Sequence, residues 1–267
     1  MKKLIFYTDL DGTLLNHDDY CWSDAAEMIQ KLKDLNFPIV FNTSKTLKEV
    51  QNFREETEIY EPFIVENGGA LCLPKNYFNG ESGRLVVLGK DLDTILASIA
   101  PLRNDFAFES YSQMSVERIS ELTGLSLEKS LLSSQRICSE PLIWNDSPDR
   151  LDEFREKLKV LDLNLLKGGR FYHIAGFPGK GDALSYLNNL YKKQFPAQEV
   201  ISVALGDSPN DLSMLEEADI AVVIPRAEGH SLQPQNNKLI HADYKGPKGW
   251  AQAVSNILTE YSIRSVS

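Results

Sequence analysis

The chain has 267 residues, of which 42% are hydrophobic and 25% are charged, and its formal net charge is −10. This is the composition of an ordinary globular protein, and the length suits a core of about 150 residues with a smaller partner unit. The acidic balance excludes a general binder of nucleic acid or of a membrane surface, because such a protein needs a basic face. It leaves room for a small anionic substrate, since a local cluster of Lys, Arg and a metal ion outweighs the overall sign.

Cysteine usage and the lengths of the apolar runs indicate the compartment. Cys21, Cys72 and Cys138 are odd in number, far apart and outside any CxxC motif, so we expect reduced thiols and no disulfide framework. The apolar run near the first residue is too short for a secretion signal. No stretch approaches about 20 apolar residues, the length that spans a bilayer. We therefore expect a cytoplasmic protein with no membrane association.

The first part of the chain alternates strand and helix signals. The predicted elements are a strand Leu4–Thr8, a helix from about Asp24 capped by Ser23, a strand Ile39–Phe41, a helix opened by the capping box Thr46–Glu49, and a strand Phe63–Val65. Short apolar runs favour buried strands, and the first helix carries its apolar residues on one face. This order is typical of a parallel sheet with helices packed on its faces.

The middle of the chain shows a different pattern. Its predicted elements are a strand Leu85–Leu88, a helix Leu92–Ile99, a helix Ser115–Leu122 ended by Gly124, a strand Leu142–Trp144, a helix after Ser147-Pro148, and strands Leu163–Leu166 and Phe171–Ile174. The segment Lys167-Gly168-Gly169-Arg170 predicts a hairpin turn between the last two strands. Strands joined by a hairpin and mixed with helices indicate an α+β unit that is separate from the parallel sheet.

The alternation of strands and helices returns after Pro178. The predicted elements are a helix Lys180–Tyr191, a strand Val200–Leu205, a helix Asn210–Glu217, a strand Ala221–Ile224 and a helix Lys248–Tyr261. We therefore predict an α/β fold with a doubly wound, Rossmann-like parallel-sheet core formed by residues 1–83 and 174–267. An α+β unit of residues 84–173 is predicted to be inserted into this core.

Four polar clusters lie directly after predicted core strands or at the start of a core helix. They are Asp9-Leu10-Asp11-Gly12-Thr13, Asn42-Thr43-Ser44-Lys45, Gly179-Lys180-Gly181-Asp182 and Gly206-Asp207-Ser208-Pro209-Asn210-Asp211. Doubly wound sheets bind ligands beyond the carboxyl ends of their strands, so we expect the four clusters to meet at one edge of the sheet. Each cluster alone is weak evidence, but their coincidence predicts a functional site.

Asp9 and Asp11 are separated by one residue, so in extended backbone their side chains point to the same side. Two carboxylates this close repel each other unless a cation or a proton lies between them. Magnesium suits that position, because it prefers oxygen ligands, and a carboxylate is also a competent nucleophile for phosphorus. An acidic turn of a calcium loop or of a plain surface loop is the alternative interpretation of the same residues.

Thr43, Ser44 and Lys180 are candidates for holding a phosphoryl group. Thr43 ends a predicted strand and can donate a hydrogen bond, while Ser44 and Lys45 precede a capped helix whose N-terminus favours anions. Lys180 begins a helix between two glycines, where its ammonium can neutralise the charge of a transferring group. The alternatives are that the hydroxyls satisfy loop backbone and that Lys180 is a solvated lysine at a helix start.

Asp207 and Asp211 follow the most hydrophobic predicted strand, Val200–Leu205. Asp207 can reach the same metal ion as Asp9, and Asp211, four residues further on, can orient Lys180 or a water bound to the metal. The alternative is that Asp207 is a turn residue and that Asp211 is an acid near a helix N-terminus.

In this order, the four clusters resemble the signature motifs of the haloacid dehalogenase superfamily of phosphatases. The resemblance implies Mg²⁺ as the cofactor and an inserted α+β cap that acts as a lid over the substrate. It implies that Asp9 is the nucleophile, that Asp11 is the acid and base, and that Thr43 and Lys180 hold the phosphoryl oxygens. The implied metal ligands are Asp9, the backbone carbonyl of Asp11, and Asp207, with Asp211 behind them.

A closer resemblance is to the mannosyl-3-phosphoglycerate phosphatase family. It rests on the segments Thr43–Thr46, Val65–Ala70, Met114–Glu117, Glu121–Leu125, Ser139–Trp144 and Gly168–His173. The substrate-binding residues that we expect are Ser44, Lys45, Gly169, Arg170 and Asn210. Arg170 offers a two-point contact to a carboxylate, and a surface arginine on a hairpin is the alternative. His173 is expected to be structural.

The leading hypothesis is hydrolysis of 2-O-mannosyl-3-phosphoglycerate to mannosylglycerate, a compatible solute, and phosphate. The closest rival substrate is glucosyl-3-phosphoglycerate, which differs at one sugar carbon, and a broad sugar phosphatase is a second rival. A phosphomutase or phosphotransferase on the same scaffold represents a different reaction class. A binding module without catalysis is disfavoured, because Asp9, Asp11, Lys180 and Asp207 are all present.

Overall fold

The computed structural model describes residues 2–78, 83–168, 170–176, 179–227, 229 and 232–261. Within these residues the strands form three sheets, of five, three and four strands. No helix in the described ranges has the length and apolar character that crossing a membrane requires.

The largest sheet is formed by five strands from the two ends of the chain. They are β1 Lys2–Thr8, β2 Ile39–Phe41, β10 Glu199–Gly206, β11 Ile220–Val223 and β12 Leu239–His241. The strand order is β12-β11-β10-β1-β2, and every neighbouring pair is parallel. Because a parallel sheet needs both of its faces covered, its strands are apolar on both sides, as the sequence of β1 shows.

Helices cover both faces of this sheet. They are α1 Ala26–Asp34, α2 Leu47–Thr57, α7 Lys180–Gln194, α8 Leu212–Glu217 and α9 Gly246–Glu260. Leu4 and Phe6 of β1 pack with α1, α2 and α9, whereas Ile5 and Tyr7 pack with α7 and α8. The prediction of a doubly wound α/β core is confirmed. The prediction that Ser23 caps α1 is wrong, since a 3-10 turn precedes Ala26 and no side chain caps the helix.

A small antiparallel sheet extends the core beyond β2. Its strands are β3 Phe63–Val65, β4 Ala70–Leu73 and β5 Arg84–Val87. A single parallel bridge between Asn42 and Ile64 places β3 beside the end of β2. The first residue predicted for the insertion, residue 84, therefore begins a strand that pairs with β4. The predicted boundaries of the insertion, 84 and 173, stay a prediction.

The third sheet belongs to the α+β unit, which we call the cap and define as the elements between Leu92 and Gly176. Its strands are β6 Phe108–Ser110, β7 Ser139–Trp144, β8 Leu163–Lys167 and β9 Tyr172–Gly176, and its helices are α3 Leu92–Ile99, α4 Val116–Thr123, α5 Leu127–Ser134 and α6 Arg150–Val160. The sheet is antiparallel with the order β6-β7-β9-β8, and α3 and α6 bury their apolar residues against it. The predicted cap is therefore an α+β layer, as expected.

Candidate active site

Three acidic side chains and one lysine converge where β1 and β10 end and α7 begins. Asp9 directly follows β1, Asp207 directly follows β10, and their strands are parallel neighbours in which Thr8 pairs with Leu205. One carboxylate oxygen from each of Asp9, Asp207 and Asp211 lies within 4.8 Å of the others. The sheet edge predicted from the sequence therefore brings these clusters together.

Lys180 lies at the centre of this group and is fully buried. Its Nζ donates to Oδ1 of Asp9 and to Oδ1 of Asp211, each at 2.6 Å. Burial alone would lower the pKa of Lys180 because it disfavours the charged form. The neighbouring carboxylates of Asp211 and Asp9 have the larger combined effect, and they raise this pKa. The backbone carbonyl of Lys180 accepts from Nδ2 of Asn42 at 3.0 Å, which ties the start of α7 to the end of β2.

Asp9 and Asp207 are buried acids with too little positive charge beside them. Burial raises the pKa of Asp9 above its usual range, although Lys180 pulls it down, and the acids Asp211 and Asp207 raise it further. The 2.6 Å contact from Lys180 favours the ionised form of Asp9, but Lys180 divides its charge between Asp9 and Asp211, so it offsets the effect of burial only in part. Burial, followed by the neighbouring Asp211, raises the pKa of Asp207 to about 7. A cation at this place would relieve both acids.

The oxygens of Asp211 are already occupied by the protein. Its Oδ1 accepts from Lys180, and its Oδ2 accepts from the backbone N–H groups of Asp207 and Ser208, each at 3.0 Å, and from the Ser208 hydroxyl. In contrast, Oδ1 of Asp207 accepts only from Thr13, at 3.1 Å, among the residues described, and its Oδ2 lies 3.6 Å from Nε of Arg226. Asp9 and Asp207 are thus better placed than Asp211 to hold a metal ion, and their hard oxygen donors fit Mg²⁺.

The side chain of Asp11 lies outside this acidic group. Its Oδ2 pairs with Nζ of Lys45 at 2.9 Å, and Lys45 also lies 3.7 Å from Glu49. Burial opposes the charge of Lys45, but Asp11 and then Glu49 raise its pKa. Oδ1 of Asp11 is buried and has no partner among the described residues. Lys45, which we predicted to bind substrate, therefore also holds Asp11 in place.

Thr43 and Ser44 follow β2 beside the same edge. Thr43 is fully buried, and its hydroxyl accepts from the backbone N–H of Lys45 at 3.2 Å. This contact is the loop role that we considered as the alternative, and it leaves the hydroxyl hydrogen of Thr43 available to a ligand. Ser44 lines the adjoining cavity.

A cavity of about 150 Å³ lies over these residues, and both the core and the cap line it. The core residues that line the cavity include Asp9, Asp11, Ser44, Lys45, Asp207 and Asn210. The cap residues that line it include Tyr111, Arg136, Gly168, Arg170, Phe171 and His173. A second cavity of about 680 Å³ shares Tyr20, Lys45, Glu49 and Leu125 with the first. The combined space is large enough for a small phosphorylated molecule with a bulky group attached.

The expected substrate-binding residues differ in their surroundings. Asn210 lines the cavity and donates from Nδ2 to Oδ1 of Asn67 at 2.9 Å. Arg170 also lines the cavity, but its side chain is exposed and donates to the backbone carbonyl of Thr123. Gly169 lies outside the described residues.

Sequence analysis missed several residues that line the cavity. Arg136 and Tyr111 come from cap segments in which we predicted no element, and Arg226 lies in the loop after β11. His173, expected to be structural, is buried at the cavity wall. Burial, then the charges of Arg136 and Lys180, lowers its pKa to about 3, so the imidazole is neutral. Arg136 would have been included in a survey of all basic residues in the cap. Its position in the sequence relative to the other candidate residues, however, gave no indication of a site.

The arrangement of a buried acid, a buried lysine and a second acidic strand end suits phosphoryl chemistry. The sequence matches haloacid dehalogenase-like hydrolases over residues 6–233. The chain belongs to this family. A relative of this hydrolase from Persephonella marina is named glucosyl-3-phosphoglycerate/mannosyl-3-phosphoglycerate phosphatase. The two sequences are 38% identical over 265 residues, and the aligned region covers 96% of this chain and 98% of the relative.

A relative with the same name from Methanococcoides burtonii is 33% identical to the hydrolase over 270 residues, covering 97% of this chain and 98% of that protein. A solved phosphatase of the haloalkanoate superfamily from Bacteroides thetaiotaomicron has the same fold, with a TM-score of 0.66 and 16% identity over 98% of this chain and 96% of that one. The predicted family and the prediction of a phosphoric monoester hydrolase are confirmed.

Proposed function

We propose that this hydrolase removes phosphate from 2-O-mannosyl-3-phosphoglycerate through an aspartyl-phosphate on Asp9, with glucosyl-3-phosphoglycerate as the rival substrate. The observation that carries the proposal is the pair of 2.6 Å contacts that fix Lys180 between Asp9 and Asp211 at the base of the shared cavity. The names of the two relatives support the choice of substrate.

The nucleophile in this proposal is the carboxylate of Asp9. It attacks phosphorus, the bond to the sugar-acid oxygen breaks, and protonated Asp11 gives its proton to that oxygen. Asp11, now ionised, takes a proton from a water molecule that attacks the aspartyl-phosphate and regenerates Asp9. The contact of Asp11 with Lys45, at 2.9 Å, fixes the ionised side chain beside the cavity, which suits its role as the base; to act first as the acid, Asp11 must take up a proton when the substrate binds.

Charge neutralisation is shared between the protein and a metal ion. Lys180 and the hydroxyl of Thr43 would hold phosphoryl oxygens, with Ser44, Lys45 and Asn210 nearby. Asp9, Asp207 and the backbone carbonyl of Asp11 would hold Mg²⁺, which when bound offsets the charge of the acids and of the phosphoryl group. Asp211 would keep Lys180 in place, since its own oxygens are occupied.

The volume of the two cavities supports a substrate with two parts. About 150 Å³ above Asp9 suits the phosphoglycerate part, and the adjoining space of about 680 Å³ would receive the glycosyl group. Tyr20 and Trp22 line that second space and can offer aromatic faces to a sugar ring.

A phosphate-release screen with Mg²⁺ tests the proposal. Its panel contains mannosyl- and glucosyl-3-phosphoglycerate, simple sugar phosphates, and a sugar acceptor that would reveal phosphate transfer. We expect release from a glycosyl-phosphoglycerate at an efficiency at least about tenfold above the simple sugar phosphates, loss of release with a chelator, and its return with Mg²⁺. Equal efficiency across the panel, or phosphate recovered on the acceptor sugar, would contradict the proposal.

A further inference from the structure

Arg136 lies in the turn between α5 and β7, at the boundary of cap and core, and it lines the cavity above Asp9. We infer that Arg136 binds the carboxylate of the glycerate part of the substrate and so selects phosphorylated acids over neutral phosphate esters. This inference rests on the proposed function, because it concerns the same cavity, and it names a residue that sequence analysis did not identify.

The guanidinium of Arg136 is held firmly by uncharged oxygens. Its Nε donates to the backbone carbonyl of Ser133 at 3.2 Å. Its Nη1 donates to the carbonyl of Ser44 at 3.1 Å and to the hydroxyl of Ser139 at 3.0 Å. None of these direct partners carries a charge; the buried carboxylate of Glu66 is reached only through the Ser139 hydroxyl, which donates to it at 2.7 Å, so Arg136 has no direct ion pair among the described residues.

The remaining donors of Arg136 are those on Nη2. A guanidinium carries five N–H donors in a planar fork, and the three bonds to Ser133, Ser44 and Ser139 use those on Nε and Nη1. Nη2 donates to no residue in the part of the chain that the structure describes. With Nε and Nη1 occupied, the guanidinium cannot offer a two-nitrogen fork, but its fixed Nη2 can donate a charge-assisted hydrogen bond to one carboxylate oxygen at the cavity wall.

Arg136 contacts the loop that carries Thr43, one of the residues proposed to hold the phosphoryl group. Its Nη1 contacts the backbone of Ser44, which is adjacent in sequence to Thr43. A ligand that placed its phosphate at Asp9 and Thr43 would therefore need only a short carbon chain to bring a carboxylate to Arg136. In 3-phosphoglycerate, the chain between the carboxylate and the phosphate ester oxygen has that form.

Arg170, the arginine that we expected to bind the carboxylate, is less suited to this role. Its side chain is exposed, and the partner that fixes it is the carbonyl of Thr123 in α4. An exposed arginine gains less from an ion pair than one at a cavity wall, because solvent screens the charge. Arg136 and Arg170 thus make opposite predictions for matched variants.

Competition experiments separate these roles. In the intact enzyme with Mg²⁺, 3-phosphoglycerate and glycerol 3-phosphate compete against hydrolysis of p-nitrophenyl phosphate, and the ratio of their inhibition constants measures recognition of the carboxylate. We expect wild type to prefer the acid by roughly 10- to 100-fold, the worth of a charge-assisted hydrogen-bonded pair. Arg136→Gln should bring the ratio close to one, and Arg170→Gln should leave it within about threefold of wild type.

A ratio near one in wild type, or a wild-type ratio retained in Arg136→Gln, would overturn the inference. Because Arg136 also connects cap and core, Arg136→Lys provides a second measurement if Arg136→Gln does not fold. It keeps the charge but loses the planar group that the contacts with Ser133, Ser44 and Ser139 hold in place, so we expect the preference to fall by about tenfold, and an undiminished preference would also overturn the inference. Failure of the proposed function looks different: the preference for the acid would persist while no glycosyl-phosphoglycerate released phosphate.

Discussion

Gly12 brings the backbone after β1 directly against the side chain of Asp207. Its φ is +85°, in the left-handed region that favours glycine, and a Cβ at this position would lie 2.8 Å from Oδ2 of Asp207. Glycine is thus favoured at this position for two reasons: the backbone conformation and the close approach of the Asp207 carboxylate. The tight turn predicted at Gly12 therefore requires that this residue has no Cβ atom.

Replacing Gly12 by Ala should change the requirement for metal. The added methyl group must displace the carboxylate of Asp207, and the backbone strain adds about 1–2 kcal/mol. We expect the Mg²⁺ concentration for half-maximal activity of Gly12→Ala to rise by roughly tenfold or more, as measured by a Mg²⁺ activation curve.

Gly124 supplies the matched control for this substitution. It ends α4 with a φ of +72°, but a Cβ there would meet nothing within 4 Å. Gly124→Ala should therefore lower the free energy of unfolding through strain alone and leave the Mg²⁺ curve unchanged. An unchanged Mg²⁺ curve in Gly12→Ala would refute the assignment of Asp207 as a ligand.

At this scale the sequence predicted which residues meet but not how they pair. Asp9, Lys180, Asp207 and Asp211 could be placed together, because carboxyl ends of parallel strands share one sheet edge. The ion pair between Asp11 and Lys45 could not be predicted, because it depends on the path of a loop and on side-chain rotamers. The contact of Lys180 with Asp211 is one of the two roles that the sequence suggested for that acid, whereas its contact with Asp9 became visible only in three dimensions.

Among the elements, α2 connects the core to the cap through Thr46, the residue that caps its N-terminus. Thr46 caps α2 by accepting from the backbone N–H of Glu49 at 3.2 Å, and its hydroxyl donates to the carbonyl of Leu132 in α5 at 2.9 Å. The predicted capping box is present, since Glu49 accepts from the backbone N–H of Thr46 at 2.9 Å. One hydroxyl therefore stabilises a core helix and contacts a cap helix.

Removing the Thr46 hydroxyl should lower the free energy of unfolding more than removing an ordinary helix cap does. Thr46→Ala loses both bonds, so we expect a loss of about 2 kcal/mol or more in the free energy of unfolding, while Thr46→Ser should stay within about 0.5 kcal/mol of wild type. Ser115→Ala, which removes the cap of α4 and a contact with the exposed Glu117 of the same helix, should cost about 1 kcal/mol. Urea denaturation measures all three, and equal losses in Thr46→Ser and Thr46→Ala would contradict this account.

The elements that sequence analysis missed are those with weak or inverted patterns. The helix α5 exposes Leu127 and Leu131 and buries Ser130 and Ser133, so its apolar residues do not mark the buried face. The strands β6 and β12 contain polar residues, Glu109 and Ser110 in β6 and His241 in β12, so neither forms an apolar run. In contrast, β2 and β3 were predicted to the residue, because short apolar runs there are bounded by clear turn signals.

At the scale of the whole molecule, Glu66 fastens the core to the cap. It is fully buried just after β3, and its carboxylate accepts from the backbone N–H groups of Ile137 and Cys138, at 2.9 and 3.1 Å, and from the Ser139 hydroxyl at 2.7 Å. The three donors are the first residue of β7 and the two residues that precede it, so one core side chain fixes the chain where it enters this cap strand.

Glu66→Ala should strongly destabilise the protein. Two buried donors and one part-buried donor would lose their acceptor, and each buried donor costs about 1–3 kcal/mol when left unsatisfied, so we expect a loss of about 3 kcal/mol or more in the free energy of unfolding. Glu121→Ala removes an exposed carboxylate that lies 3.6 Å from Arg118 and should cost less than about 1 kcal/mol. A loss in Glu66→Ala as small as that in Glu121→Ala, in the same urea titration, would show that Glu66 does not fasten the cap.

Long-range relations such as this one explain why the division into core and cap was easier to predict than the contacts between them. The change from alternating strands and helices to a hairpin is a local signal, and it predicted an inserted α+β unit. The contacts of Glu66 and Arg136 join residues about 70 and 90 positions apart, and no local pattern carries that information.

The central claim is that Asp9 becomes phosphorylated during turnover. Quenching the enzyme with borohydride while it hydrolyses a glycosyl-3-phosphoglycerate reduces an aspartyl-phosphate to homoserine, which mass spectrometry locates in the digested chain. We predict homoserine at position 9 in wild type, and neither homoserine nor turnover above about one thousandth of the wild-type rate in Asp9→Asn. Phosphate release without reduction at position 9, or turnover retained in Asp9→Asn, would contradict the account.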